Sequence, residues 1–164
     1  MTRKPFHSRV SCLFVIAACA THPDGKIDTV FDACKPLLVV PDDDTTAEEI
    51  ASLDEAIDLW NDLVRSELTR DDEGIVARVP LHFELAASSF RGLYDDESGQ
   101  IFVNRSVADP EARAITISHE LGHAFGLVHI PRETRTSVMN PGNLTVAPNA
   151  GDRDAVIALW GDCP

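Results

Sequence analysis

Residues 119–129 read His-Glu-Leu-Gly-His-Ala-Phe-Gly-Leu-Val-His, a run that gathers three imidazoles and a carboxylate around a helix exit. Side chains four apart on a helix share a face, so His119 and His123 can aim ring nitrogens at one ion. Glu120 lies one step round the helix, within reach of a water on that ion but angled away from ligating it. Gly126 lets the chain leave the helix in a left-handed conformation that a Cβ would strain. The reversed chain can then return His129 as a third ligand. Three protein ligands leave the fourth tetrahedral position to water, the mark of a catalytic rather than a structural zinc site.

The pattern extends beyond HExxH, and each further fixed position lowers chance agreement roughly ten- to fiftyfold at ordinary residue frequencies. Ten residues after His129 stands Met139, within Ser137-Val138-Met139-Asn140-Pro141. HExxHxxGxxH followed by a methionine in a turn resembles the metzincin clan of zinc endopeptidases. The stretch Asp152 to Gly161 is similar to the closing helix of matrixin catalytic domains. Two positions depart from the matrixin pattern: Ile130 follows the third histidine, and Asn140 stands where a tyrosine is common. The resemblance implies one catalytic zinc on His119, His123 and His129, with Glu120 as general base and acid. It also implies that Met139 forms an apolar floor beneath the ion. Substrate, a protein or peptide, would lie extended along the exposed strand of a hairpin, for which Phe90 to Tyr94 is taken.

The surrounding elements must hold these residues. Leu37 to Val40 is a short apolar run of buried-strand type, stopped by Pro41. Thr46-Ala47-Glu48-Glu49 is a capping box opening a long helix whose apolar face is Ile50, Leu53, Ile57, Trp60 and Val64. Ile75 to Leu85 reads as a strand, with Leu81, Phe83 and Leu85 alternating against His82 and Glu84. His82 has no partner at ligand spacing and is read as structural. Strand, helix, strand predicts a right-handed crossover and a parallel pair. Phe90 to Tyr94 and Gln100 to Asn104 flank a polar turn and predict a hairpin with antiparallel pairing. Asp109-Pro110 caps the active-site helix, with Ile115, Leu121, Phe125 and Leu127 as its apolar contacts. A last helix over 152–160 is expected to bury Val156, Ile157, Leu159 and Trp160. The fold class is α+β and zincin-like. It has a mixed, mostly parallel sheet with one antiparallel edge strand, a long first helix, an active-site helix, a methionine turn and a short C-terminal helix.

Residues 1–18 read as a secretory signal: Arg3, Lys4 and Arg9 precede the apolar run Val10 to Ala18, which is too short to span a bilayer. Ile16-Ala17-Ala18-Cys19 looks like a bacterial lipobox, making Cys19 the lipidated first residue; ordinary cleavage before Thr21 is the alternative. Either route exports the chain, lipid-anchored to the envelope by preference or else secreted. Residues 19–36 then form a polar tether, and 37–164 a single catalytic domain, expected to be monomeric. Cys12 falls in the leader, so Cys34 and Cys163 remain as an even pair in an oxidising compartment, and a disulfide between them is preferred. The alternative makes Cys34 an inhibitory thiol, as in the cysteine switch of related zymogens, although its surroundings lack the glycine of that pattern.

The net charge is −13, and without Arg3, Lys4 and Arg9 it becomes −16, from 11 basic and 27 acidic residues. Such a chain repels phosphate backbones, which excludes nucleic acid as an expected partner, and it attracts basic proteins or peptides. Membrane contact is expected only through the N-terminal lipid. The acidic runs 42–44, 71–73 and 95–97 read as solvated loops. Calcium at one of them is unsupported, because none has the ligand spacing of a known calcium loop.

Overall fold

The computed structural model describes residues 26–164. The expected signal over 1–18 and the lipidation candidate Cys19 lie outside the described residues. Eight elements follow in order: β1 (Leu37–Pro41), α1 (Ala47–Val64), β2 (Leu68–Thr69), β3 (Arg78–Glu84), β4 (Gly92–Asp95), β5 (Gln100–Asn104), α2 (Pro110–Ala124) and α3 (Ala150–Trp160). The sheet runs β2-β1-β3-β5-β4. Its pairs are parallel except for β4 with β5, which are antiparallel and leave β4 as the outer strand. The mixed sheet with one antiparallel edge therefore forms as expected.

α1 begins at a complete capping box, with the Thr46 side chain accepting from the Glu49 amide and the Glu49 side chain accepting from the Thr46 amide. Leu53, Ala56, Ile57, Trp60 and Val64 are its buried stripe. α2 starts with Asp109 accepting from Ala112 N and with proline at the first turn. Every residue from Arg113 to Ala124 is buried, so the helix lies between the sheet and α1 instead of on the surface. Its buried hydroxyls are satisfied locally: Thr116 donates to Ala112 O and Ser118 to Ala114 O. Trp60 joins the helices by donating Nε1–H to Ser118 O at 2.9 Å and meeting Phe125 edge-on.

Four local expectations change. The strand expected over 75–85 is shorter, and Leu85 is 84% exposed in the loop beyond Glu84. Alternation placed it inward, but the strand ends before alternation can act on it. β2 was not anticipated; it pairs in parallel with β1, and the Asn61 side chain anchors it by accepting from Leu68 N and donating to Leu68 O. In α3 only Val156 among the four expected apolar residues is fully buried, and Leu159 is 52% exposed, because the helix packs along one narrow side. The described part of the 19–36 segment is docked on the domain instead of free. Phe31 N donates to Ala124 O, Thr29 N to Asp96 O, and Tyr94 Oη to Thr29 O. Cys34 and Cys163 form a disulfide 129 residues apart in sequence, so Cys34 is no free thiol. In the chain-entropy account, closing a loop of that size contributes on the order of 5 kcal/mol. Among the described residues no helix is long and apolar enough to cross a membrane.

Candidate metal centre

The end of α2 carries His119 and His123 one turn apart, and the chain reverses at Gly126, whose φ is +92°. Leu127 N donates to Gly122 O at 2.9 Å, closing the turn that returns His129 to the helix. His129 Nε2 then lies 3.1 Å from His119 Nε2 and 3.3 Å from His123 Nε2. Zinc–nitrogen bonds of 2.0–2.1 Å at tetrahedral angles put neighbouring nitrogens about 3.3 Å apart. The cluster therefore has the dimensions of a zinc-sized three-nitrogen site.

The far ring nitrogens settle which lone pairs converge. His119 Nδ1 is 2.7 Å from Val138 O, and His123 Nδ1 is 2.7 Å from Leu127 O. A carbonyl only accepts, so each Nδ1 carries the proton and each Nε2 presents a lone pair to the cluster. Burial lowers the His119 pKa to about 4 and the His123 pKa to about 3, and it lowers that of His129 as well. All three rings are thus neutral at ordinary pH, the state a metal needs. Two lone pairs fixed in this way, with the neutral His129 ring's Nε2 within 3.3 Å of both, make a donor set that fits a divalent ion.

Glu120 is 2% exposed, and its Oε2 has no hydrogen-bond partner among the described residues. Burial raises its pKa to about 8, against a backbone hydrogen bond from Tyr94 that favours the charged form. A cation at the histidines would favour ionisation further.

Behind the rings, Met139 is fully buried, and a Cβ at Gly122 would lie 2.5 Å from its Sδ. The methionine thus packs directly on the helix between the two histidines it carries. The Met139 turn is held by Asp152, itself fully buried at the start of α3. Its carboxylate accepts from Ser137 Oγ, from Val138 N at 3.0 Å and from Asn149 N at 3.1 Å, and it pairs with Arg135 at 2.8 Å. Asn140 holds the other side: its amide donates to Ile130 O at 2.8 Å and Arg135 O at 3.0 Å, and its oxygen accepts from Ser137 N. Ile130 N returns a bond to Met139 O at 3.1 Å. The residue after the third histidine is therefore clamped to the turn from both directions. Sequence reasoning marked Asn140 only as a departure and passed over Asp152. Their polar type in an apolar neighbourhood was visible, but their partners were not.

His82 lies away from the cluster, with Nδ1 at 2.9 Å from Asp42 Oδ2 and Nε2 at 2.9 Å from Gln100 Oε1, its ring stacked on Phe102.

No family model and no curated protein matches this sequence. Among solved structures the chain is similar to high choriolytic enzyme 1, a hatching enzyme zinc-protease from Oryzias latipes (medaka fish). The TM-score is 0.53 at 14% identity, covering 84% of this chain and 96% of that one. The chain has a zincin-like metalloprotease fold, with a three-histidine group able to hold a metal ion at the end of its central helix.

Proposed function

We propose that this protein is a zinc-dependent endopeptidase of the metzincin type, exported and anchored through a lipid on Cys19. The observation that carries the reading is the convergence of three Nε2 atoms from neutral rings, two of them on the helix that also carries a buried carboxyl with an unpartnered oxygen. A divalent ion held there supplies Lewis acidity, lowering the pKa of a water to roughly 7 and polarising a carbonyl. Glu120 accepts the proton of the attacking water and returns it to the departing amine nitrogen. His119 and His123 are kept in the required tautomer by Val138 O and Leu127 O. β4, the outer strand, offers backbone groups to which an extended protein or peptide substrate adds as a further strand. Calcium plays no part in this proposal, and a single copy of the chain suffices for the reaction. The Cys34–Cys163 disulfide accords with an oxidising compartment.

A metal-holding envelope module without catalysis is the competing reading. It has no use for a buried carboxyl with one oxygen unpartnered, which costs stability wherever it does no work. The deciding experiment compares wild type with Glu120→Gln on a mixed peptide library, with and without chelator. Metal-dependent cleavage that falls by about 10²–10⁴-fold in the variant, with zinc still bound, supports the peptidase. Equal turnover in both proteins removes it.

A further inference from the structure

How Glu120 is aimed rests on the peptidase reading and deepens it. In the β4–β5 ladder Asn104 N donates to Arg91 O at 2.9 Å, and the register pairs Gly92 with Val103 and Tyr94 with Ile101. Alternate residues of an antiparallel ladder exchange hydrogen bonds. Arg91, Leu93 and Asp95 therefore face β5, whereas Gly92 and Tyr94 turn their backbone groups to the outer side. Glu120 meets the strand at these two residues. A Cβ at Gly92 would lie 2.6 Å from Glu120 Oε1, 3.1 Å from Glu120 Cγ and 2.8 Å from Thr116 Cγ2. Carbon atoms do not approach their neighbours so closely without displacing them.

Gly92 is absent from the glycines of positive φ, so its backbone conformation is open to any residue. Space, and not torsional freedom, demands glycine here. The same strand turns the Tyr94 amide towards the carboxylate, while Oε2 is left without a partner. We propose that Gly92 is a positioning residue: its missing side chain lets β4 seat the Glu120 carboxylate beside the histidine cluster. The strand expected to receive the peptide thereby also aims the general base.

The test is Gly92→Ala, with Thr116→Ser as a control and as a second background. Thr116→Ser removes the methyl at 2.8 Å and leaves the carboxylate contact in place. In Gly92→Ala, kcat is expected to fall by about tenfold to a hundredfold, the scale of a misplacement near 1 Å. KM should stay within about twofold, and zinc affinity should not change, because no ligand is touched. The Gly92→Ala/Thr116→Ser protein should remain as impaired. Wild-type kcat in Gly92→Ala overturns the proposal, as does a loss confined to KM. Recovery in the double variant also overturns it, since the loss would then run through Thr116. If Gly92→Ala alone does not fold, the double variant carries the measurement, and failure of both assigns the glycine to packing and overturns the proposal. Loss of the underlying reading is seen separately, as wild type that cuts no better than Glu120→Gln; the inference then falls with it.

Discussion

His119, His123 and His129 lie between α2 and the Met139 turn, whereas His82 projects from β3 between the inward-facing Leu81 and Phe83. Burial disfavours charge on all four rings. At the cluster nothing outweighs it: the strongest opposing partner of His119 or His123 is a backbone carbonyl, and neighbouring imidazoles add repulsion. At His82 burial is outweighed by the hydrogen bonds to Asp42 and Gln100 and by the charges of Asp42 and Glu84, so its pKa is raised. One residue type is thus held neutral in one place, while in the other its surroundings favour the protonated form. The carboxylate within hydrogen-bond reach makes the difference.

The largest expected contrast is in metal binding. His123→Ala should weaken zinc by more than the 10–100-fold that loss of an outer hydrogen-bond partner costs. His82→Ala should leave the affinity within about twofold; competition titration against a chromogenic chelator measures both. Equal losses would erase the distinction between the two regions.

Next in size is stabilisation by the ion. With free zinc at a thousand times Kd, linkage adds about 4 kcal/mol to wild type and to His82→Ala. Thermal unfolding with and without chelator should show that shift in both proteins and little of it in His123→Ala.

Asn140→Asp sharpens the boundary of the metal region. It keeps the acceptor for Ser137 N and loses the two donors that hold Ile130 O and Arg135 O. Zinc affinity is expected to fall about tenfold, and a cobalt-loaded sample should show an altered visible spectrum as His129 shifts. An unchanged affinity and spectrum would confine Asn140 to holding the loop.

Protons should divide the regions by sign in the metal-free protein. An unfolded histidine titrates near 6.5, but His119 and His123 stay neutral in the fold down to about 4 and about 3. The unfolded chain therefore binds more protons between these limits, and stability falls as the solution is acidified from about pH 7. His82 acts oppositely: its raised pKa adds stability that is fully present below 6.5 and is lost as pH rises through its folded value. His82→Ala should then steepen the acid loss. Urea unfolding from pH 7 to 5 reads the slope, best in Glu120→Gln, which removes a buried carboxyl titrating near 8. At pH 7 the His82→Ala change itself should be the smallest effect, at most about 1 kcal/mol, as for partly exposed ion pairs.

Much of this was legible from residue spacing alone. The helix of His119 and His123, the reversal at Gly126 and the return of His129 are local, set within eleven residues by helical period and one left-handed glycine. The capping box of α1, the parallel pairing of β1 with β3 and the β4–β5 hairpin likewise follow from patterns repeating over a few residues. Leu85 and Leu159 were misplaced because periodicity shows which side a residue takes, not whether an element extends far enough to cover it.

The sequence by itself determined which atoms could ligate an ion, which carboxylate could move a proton and which two cysteines could pair. Only the tertiary structure decided how those atoms are held. Asp152 reaches the Met139 turn from α3, Asn140 locks Ile130, His82 finds Asp42 forty residues away, and β4 presses the bare Cα of Gly92 against Glu120. A donor or a gap is written in a residue's type. Its partner is chosen by packing between segments that local spacing does not relate.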